Sequence, residues 1–300
     1  MENKHKTADS SDILTIRPIG HIHTDFPEKF GIPRQSGLVP SLQAYITFEK
    51  EFQNPDCFRD IERFTHLWLI WGFSENQDKG WSPTVRPPRL GGNVHTGVFA
   101  SRSPFRPNPL GLSSVRLKKV LLDDGSNGPG ADKFGNIEAA GDLTDCGNKS
   151  SVETSGPVAD SGNSDAAKTI VGPGDADFYS RPVGAEGPVL FISGADLMDG
   201  TPIYDIKPYV PLSDCHPDAS ASFTNTAREH RLTVHCEESL LAPVAPDKRQ
   251  TLLDVLALDP RPAYHDDPER IYGMDFGNWC VRFCVDGMEL DVKEIVRNKK

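Results

Sequence analysis

Short apolar segments rich in β-branched and aromatic residues dominate the first 122 residues of the chain. Residues 66–73, HLWLIWGF, form a continuous apolar run suited to a buried strand. Several strands in succession, with few helical patterns between them, predict a closed or nearly closed sheet. The other strands are predicted around Leu14, Ile16 and Ile22 and over residues 44–48, 94–100 and 114–122.

One helical pattern interrupts these strands. Asn54 is a favourable N-cap residue, and Pro55 suits the first position of a helix. Phe58, Ile61 and Phe64 then recur on one helical face. The sequence therefore predicts a single helix immediately before the long apolar run.

Residues 123–187 break the pattern of strands. They are rich in Gly, Ser, Asp and Asn and contain few large apolar side chains. Such a segment cannot bury enough surface to offset the entropy lost on ordering. We predict a flexible acidic insertion here, with at most a short strand over residues 136–143, and a disordered tail over residues 1–12.

The strand pattern resumes after the insertion and completes a first domain. Strands are predicted over residues 188–193 and 203–209, joined by the turn sequence Asp-Gly-Thr-Pro. The first domain therefore comprises residues 13–122 and 188–212. A polar linker follows.

A small α+β domain is predicted over residues 225–297. Residues 231–236 alternate as a strand, and residues 248–258 carry apolar side chains at helical spacing. Two alternating strands then flank Asp286 and Gly287, a dipeptide that favours a type I′ hairpin turn. The predicted fold is mainly β, a barrel followed by this smaller domain.

The formal net charge of −11 is concentrated in one part of the chain. Residues 123–187 contain 12 acidic and 4 basic residues, a net of −8, which leaves −3 for the remainder. Residues 79–119 contain 8 Lys and Arg and no Asp or Glu. This basic block is either a solvated face or a surface for phosphate groups.

The first residues are polar, and no stretch approaches the roughly 20 apolar residues that span a membrane, so we expect a cytoplasmic protein. Reduced thiols are expected, because the cysteines are scattered in a large chain without secretory context. Two Cys-His neighbours do not form ligand clusters at zinc spacing, and we expect no metal. The cysteines are Cys57, Cys146, Cys215, Cys236, Cys280 and Cys284.

Rossmann, P-loop, zinc-protease and serine-hydrolase fingerprints are all absent from the sequence. Several segments are instead loaded with Pro, Gly, Arg and Asn. Because proline fixes φ, a loop such as residues 106–109, RPNP, holds its polar side chains in few arrangements. These prolines either turn corners between strands or preorganise a binding site.

These segments closely resemble the TrmO family, also called TsaA-like or YaeB-like, whose members are tRNA threonylcarbamoyladenosine methyltransferases. The resemblance covers nearly all of the chain outside the tail and the insertion, which is the main departure from the family. The residues that carry it are EKFGIPRQSGLV (28–39), FTHLWLIWGF (64–73), GWSPTVRPPRLGGN (80–93), GVFASRSPFRPNPLGLS (97–113), ADLMDGTPIYDIKPYVP (195–211), PDASAS (217–222) and LDPRPAY (258–264).

The resemblance implies a single-sheeted β-barrel methyltransferase, usually a homodimer, that binds S-adenosylmethionine in its motif loops. Arg102 would meet the cofactor carboxylate and Asp199 its ammonium or ribose, unless either forms a structural ion pair. The implied cofactor-binding residues are Pro33, Arg34, Gln35, Ser74, Glu75, Arg102, Leu112, Leu197, Met198, Asp199 and Gly200.

The implied reaction is an in-line methyl transfer to the exocyclic nitrogen of the modified adenine next to the anticodon. The candidates for orienting or deprotonating that nitrogen are Asp205, Lys207, Tyr209 and Asn108, and Lys207 alternatively binds the threonyl carboxylate. The residues expected to bind the anticodon loop of the tRNA are Arg86, Arg89 and Arg106, with Trp81 and Phe105 either stacking on bases or lying in the core.

Two other functions stay open from the sequence. One is a barrel that uses the same cofactor to methylate a small molecule, which would leave the basic block without a phosphate partner. The other is a non-catalytic RNA-binding barrel whose cofactor loops no longer bind.

Overall fold

A computed structural model describes residues 13–86, 94–122, 179–220, 231–262 and 267–298 of the chain. In this part the N-terminal domain is a closed six-stranded barrel, with neighbouring strands antiparallel in the order β1-β2-β7-β6-β3-β8. The strands of this domain are β1 (Gly20–His23), β2 (Gln43–Phe48), β3 (His66–Gly72), β4 (Thr84–Val85), β5 (Thr96–Gly97), β6 (Leu110–Leu121), β7 (Val189–Ser193) and β8 (Pro202–Pro208).

The predicted barrel is confirmed, and its alternating strands explain its core. In β2, Ala44, Ile46 and Phe48 point inward, while the side chains between them are half-buried. Leu67 and Leu69 on β3 and several residues of β6 and β7 complete the interior. The residues around Leu14 and Ile16, predicted as a strand, have no regular structure, and both side chains are exposed.

The described end of the insertion, residues 179–187, packs on the barrel, although we expected an unpacked segment up to residue 187. Arg181 donates to the carbonyl oxygens of Leu122 at 3.0 Å and of Gly187. The Tyr179 ring lies against Phe191 with 5.6 Å between ring centroids. This contact covers Phe191 of β7, a strand that is buried at all five positions. The predicted strand at 136–143 and the tail at 1–12 lie outside the described residues.

The prediction of a single helix before β3 is wrong. Two 3₁₀ helices, Pro55–Phe58 and Ile61–Arg63, stand in its place. The Asn54 side chain does accept from the backbone N–H of Asp56 at 3.0 Å, so the N-cap prediction holds. Asp60 ends the first turn because its backbone is left-handed, with φ of 66°.

A long crossing loop closes one end of the barrel. Because β7 and β8 are not neighbours, residues 194–201 must cross the open end between them. Leu197 and Ala195 of this loop point into the barrel core and are nearly inaccessible to solvent. The loop is fixed to β1, since the Gly200 N–H donates to the Ile22 carbonyl oxygen at 2.9 Å. We call this end of the barrel the loop end.

A two-stranded ribbon extends from the loop end between β3 and β6. Strands β4 and β5 pair antiparallel, with Thr84 opposite Gly97. The Ser82 N–H donates to the Phe105 carbonyl oxygen at 3.1 Å, which fixes the base of the ribbon. The strand predicted over residues 94–100 is therefore shorter, because Val98–Ala100 forms a 3₁₀ turn.

The C-terminal domain contains a four-stranded sheet in the order β10-β11-β12-β9. The hairpin between β11 and β12 has Gly287 and Met288 as its central residues, and only Gly287 has a positive φ, of 55°. The predicted type I′ turn is thus wrong, because that turn needs positive φ at both central residues. The elements after β8 are α1 (Pro211–Asp214), β9 (Thr233–His235), α2 (Glu238–Leu241), α3 (Pro246–Leu256), β10 (Tyr272–Phe276), β11 (Trp279–Asp286) and β12 (Glu289–Arg297).

Residues 25–42, between β1 and β2, join the two domains. Phe26 belongs to the apolar core of the C-terminal domain and meets Phe276 edge-on, with 5.8 Å between ring centroids. Gly31 has a φ of +93°, and a Cβ there would lie 2.3 Å from the sulfur of Met274. The segment that follows β1 therefore ties the motif loop at residues 33–35 to the second domain.

Candidate functional site

Two motif segments that are far apart in the sequence meet at the loop end of the barrel. The Arg102 guanidinium donates to the Gln35 side-chain oxygen at 2.5 Å, and both side chains are exposed. The loop that carries Gln35 is held to the crossing loop, because the Gly37 N–H donates to the Gly194 carbonyl oxygen at 2.8 Å. An exposed guanidinium beside an amide is a suitable site for a carboxylate.

A series of hydrogen bonds between partly or fully buried side chains lies next to these loops. The Trp71 indole N–H donates to the Ser113 hydroxyl at 3.0 Å, and that hydroxyl donates to the Asp196 carboxylate at 2.6 Å. Burial raises the pKa of Asp196, and the hydrogen bond from Ser113, the charge of Arg102 and a backbone hydrogen bond from Ser36 partly oppose that rise. No sequence motif predicted these hydrogen bonds. The available signal was a carboxylate within the otherwise apolar string FISGADL.

The crossing loop presents Asp199 at the end of β1. Its carboxylate accepts from the Thr24 N–H at 3.0 Å and lies 3.7 Å from His23 Nδ1. The His23 ring stacks on Tyr45, whose pKa is raised by burial and by the Asp199 charge. Asp199 is therefore oriented by the fold while about half of its side chain stays accessible.

The remaining predicted cofactor residues surround the same end. Leu197 is buried in the barrel, whereas Met198 is half-buried and Gly200 exposed. Ser74 and Glu75 are exposed at the start of a 3₁₀ helix that follows β3.

Pro33 and Arg34 face a different neighbour. Pro33 is buried, and the Arg34 guanidinium donates to the carbonyl oxygens of Asp259 and Arg261, each at 3.4 Å. Both residues line a cavity of about 220 Å³ between the domains, together with Pro260. Arg34 thus links the motif loop to the C-terminal LDPRP motif.

The candidate catalytic residues of β8 lie on the outer wall of the barrel. The Lys207 ammonium lies 2.9 Å from the Asp205 carboxylate. Asp205 is opposite Ile70 on β3, and Ile70 is opposite Leu112 on β6, so these three form one row across the wall. Leu112 is half-exposed, and it is the predicted cofactor residue that shares this row with Asp205.

Tyr209 and Asn108 lie at opposite ends of this wall. Tyr209 packs against Trp68, with 5.5 Å between ring centroids, and its N–H donates to the His66 carbonyl oxygen at 3.0 Å, near the start of β3. Asn108 is exposed just before β6, at the loop end. The structure therefore brings Asp205 and Lys207 together and shows no contact of Asn108 with this pair among the described residues.

The ribbon carries aromatic and basic side chains in close succession. Trp81 is 58% exposed and Phe105 38% exposed, and the hydrogen bond between Ser82 and Phe105 brings their backbones together. The core alternative for Trp81 is thus excluded. Arg86 donates to His95 at 2.9 Å, and Arg106 donates to the Ser101 carbonyl oxygen at 3.0 Å. Arg89 lies outside the described residues.

Other site types find no support in the described ranges. The five cysteines described there carry free thiols, and no group of three or more His, Cys, Asp or Glu side chains is placed to hold a metal ion. No helix in these ranges is both long and apolar enough to span a membrane.

Comparisons with known proteins agree with this architecture. The chain is 34% identical over 273 residues to the tRNA (adenine(37)-N6)-methyltransferase of Escherichia coli (strain K12), with 89% of each chain covered. It is also 34% identical over 228 residues to the tRNA (adenine(37)-N6)-methyltransferase of Eikenella corrodens, which covers 76% of this chain and 94% of that protein. The crystal structure of TrmO from Pseudomonas aeruginosa has the same fold, with a TM-score of 0.59 at 23% identity over 95% of this chain and 99% of that one.

Family matches follow the two domains and skip the insertion. Residues 21–126 and 180–215 match the tRNA-methyltransferase O N-terminal domain. Residues 229–298 match the TrmO C-terminal domain. The chain therefore belongs to the TrmO family, and its two domains and its barrel agree with that assignment.

Proposed function

We propose that this protein is an S-adenosylmethionine-dependent methyltransferase that acts on the exocyclic nitrogen of threonylcarbamoyladenosine next to the anticodon of tRNA. The observation that carries the proposal is the convergence of Gln35, Arg102 and the loop of residues 197–200 at one end of the barrel. Membership of a family whose relatives are named tRNA (adenine(37)-N6)-methyltransferases supports the same reaction.

The residues at the loop end fit the cofactor. Arg102 offers a planar fork for its carboxylate, and Asp199 offers an oriented, accessible carboxylate for its ammonium or ribose hydroxyls. The bound cofactor supplies a methyl group on a positively charged sulfonium. The protein's contribution is to hold both reactants in line, because correct orientation removes a large entropic barrier.

Asp205 and Lys207 are assigned to the acceptor. The target nitrogen is a weak nucleophile because its lone pair is delocalised into the purine ring and the carbamoyl group. Asp205 accepts its proton as methyl transfer proceeds, and Lys207 either orients the Asp205 carboxylate through their ion pair or binds the threonyl carboxylate. Tyr209 and Asn108 orient the nucleotide from the two ends of the wall.

The proposed tRNA surface is the ribbon with Arg86 and Arg106. Basic side chains neutralise phosphates, and exposed aromatic rings stack on unpaired bases of a loop. Trp81 and Phe105 provide such rings beside the basic residues. This combination favours tRNA over a small acceptor, which would require neither the basic block nor exposed aromatic rings.

Replacing Trp81 by Ala tests this surface. We expect the affinity for tRNA to fall by about 1–3 kcal/mol, the energy of one base stacked on an aromatic ring, without a change in stability. Filter binding at two salt concentrations measures the loss. Phe64→Ala is the control, since that ring is exposed too, at 38%, but precedes the start of β3, far from the ribbon. Equal affinities for Trp81→Ala and the wild type would exclude Trp81 from the tRNA surface.

The reaction itself is tested by methyl transfer from labelled S-adenosylmethionine to tRNA that carries threonylcarbamoyladenosine, beside the unmodified transcript. Incorporation into the modified tRNA alone is the expected result. Cofactor binding without incorporation into either tRNA would point to a small-molecule acceptor. Failure to bind the cofactor would favour the non-catalytic barrel.

We also propose that the protein is a cytoplasmic homodimer whose interface lies on the outer wall formed by β6, β3 and β8, with the Asp205–Lys207 pair at the edge of the interface and open to the acceptor. This wall exposes apolar side chains at positions where an alternating strand normally carries polar ones: Leu110, Leu112 and the half-buried Ile70. Trp68 donates to Asp214 at 2.8 Å, which places α1 and its 96% exposed Leu212 at the same wall.

Leu212→Glu tests the dimer. Because Leu212 has almost no contacts within the chain, we expect the variant to fold normally but to sediment as a monomer at concentrations where the wild type is a dimer. Val183→Glu is the matched control, since Val183 is fully exposed away from this wall. A monomeric wild type, or a dimer that persists in Leu212→Glu, would contradict the proposed interface.

A further inference from the structure

Asp196 lies where the segments assigned to the cofactor meet. It precedes Leu197 on the crossing loop, and it accepts the Ser113 hydroxyl of β6 at 2.6 Å. The backbone of Ser36, next to Gln35, also donates a hydrogen bond to it, and the Arg102 charge acts on it. One half-buried carboxylate thus joins four parts of the loop end.

The series of hydrogen bonds that starts at Asp196 continues into the barrel wall. Trp71 donates to the Ser113 oxygen at 3.0 Å, so that hydroxyl has its own proton left to donate to Asp196. The indole therefore fixes the direction of the serine hydroxyl, and the serine fixes the carboxylate. Asp196 is therefore held in place by hydrogen bonds that do not involve Arg102.

We propose that Asp196 is a positioning residue that holds Arg102 in the orientation that binds the cofactor carboxylate. The carboxylate attracts the guanidinium and fixes the loop that carries Gln35, the hydrogen-bond partner of Arg102. Arg102, exposed and otherwise free to adopt many rotamers, is preorganised without Asp196 touching the cofactor. The inference rests on the proposed binding of S-adenosylmethionine.

The cost of this arrangement indicates a functional role. Burial raises the pKa of Asp196, because the ionised carboxylate is less well solvated in the folded protein than in the unfolded chain. The protonated Asp196 therefore stabilises the folded protein at low pH, and this contribution is lost as pH rises through the raised pKa toward neutral pH. Asn at this position keeps the shape and an acceptor oxygen but removes the charge. Asp196→Asn should consequently unfold no earlier than the wild type at neutral pH.

Three ligands separate positioning from general support of the site. S-adenosylmethionine and S-adenosylhomocysteine both carry the amino-acid carboxylate, and methylthioadenosine lacks it. For Asp196→Asn we expect the first two to bind about tenfold more weakly, the effect of one weakened charge-assisted hydrogen bond, and methylthioadenosine to bind as in the wild type. Titration calorimetry of the full-length protein measures all three.

Arg102→Ala should give the same ligand pattern. The loss of binding free energy in the double variant should be smaller than the sum of the losses in the two single variants, because both changes disable the same contact. Asp291→Asn is the matched control, since Asp291 pairs with Lys293 at 3.7 Å on β12 of the C-terminal domain. It should bind every ligand as the wild type does.

Other outcomes overturn the inference. Equal weakening of all three ligands would make Asp196 a general support of the site, and weakening of S-adenosylmethionine alone would assign it to the sulfonium charge. Unchanged binding in Asp196→Asn, with a wild type that binds S-adenosylmethionine, would remove its role altogether. A wild type that does not bind S-adenosylmethionine would instead refute the proposed function on which this inference rests.

Discussion

Asp205→Asn is expected to lower kcat for methyl transfer to modified tRNA by about 10²-fold or more, the usual contribution of a positioned general base. The amide keeps the size of the carboxylate but cannot accept the proton of the target nitrogen. The affinity for S-adenosylmethionine should be unchanged, because Asp205 lies on the outer wall rather than among Gln35, Arg102 and Asp199. Single-turnover rates and cofactor titrations measure the two quantities separately.

The chain supplies a matched control for this variant. Asp291 and Lys293 form an exposed pair at alternate positions of β12, with 3.7 Å between charged atoms, as Asp205 and Lys207 do on β8. Asp291→Asn should therefore leave kcat unchanged. A fully active Asp205→Asn would remove Asp205 from the chemistry and leave Tyr209 or Asn108 as the candidates.

Phe26→Ala is expected to lower the free energy of unfolding of the C-terminal domain by about 3–5 kcal/mol. Phe26 is 1% exposed and follows β1 of the barrel, yet its ring lies in the core of the other domain against Phe276. The change leaves a cavity there and removes one of the apolar contacts between the domains. Denaturation followed by near-ultraviolet circular dichroism should show the C-terminal domain unfolding before the barrel.

Phe99→Ala is the control, because that ring is 79% exposed and its removal creates no cavity. It should unfold as the wild type does. If Phe26→Ala destabilised both domains in a single transition, the two domains would fold as one cooperative unit. Unchanged stability would mean that the Phe26 ring does not contribute to the core of the C-terminal domain.

The strands were predictable from sequence because short runs of apolar, β-branched and aromatic residues between turn residues are typical of buried strands. Thus 66–73 and 188–193 correspond to β3 and β7 within a residue. The helix predicted from Phe58, Ile61 and Phe64 failed, since a period near three also fits successive 3₁₀ turns, and left-handed Asp60 separates them. The hairpin was predicted correctly, but its turn type was predicted wrongly. The strand register makes Gly287 and Met288 the central residues of the turn, not Asp286 and Gly287.

The motif strings supplied the family and the residue types of the site, but not how those residues are grouped. The sequence treats the cofactor residues as one set, whereas the structure separates Arg34, which contacts the C-terminal domain, from Gln35, which contacts Arg102. Adjacent residues diverge in this way because side-chain direction depends on backbone geometry that no local pattern encodes.

The sequence by itself determined the β-barrel class, the two-domain order and the family. Each of these depends on composition or on motifs that are continuous along the chain. Only the tertiary structure decided that the loop of residues 194–201 closes the barrel and that Asp196 meets Ser113, 83 residues away, beneath Arg102. Such contacts arise from barrel closure, because β7 and β8 are separated in the sheet and the loop between them must cross the end where the other motifs lie.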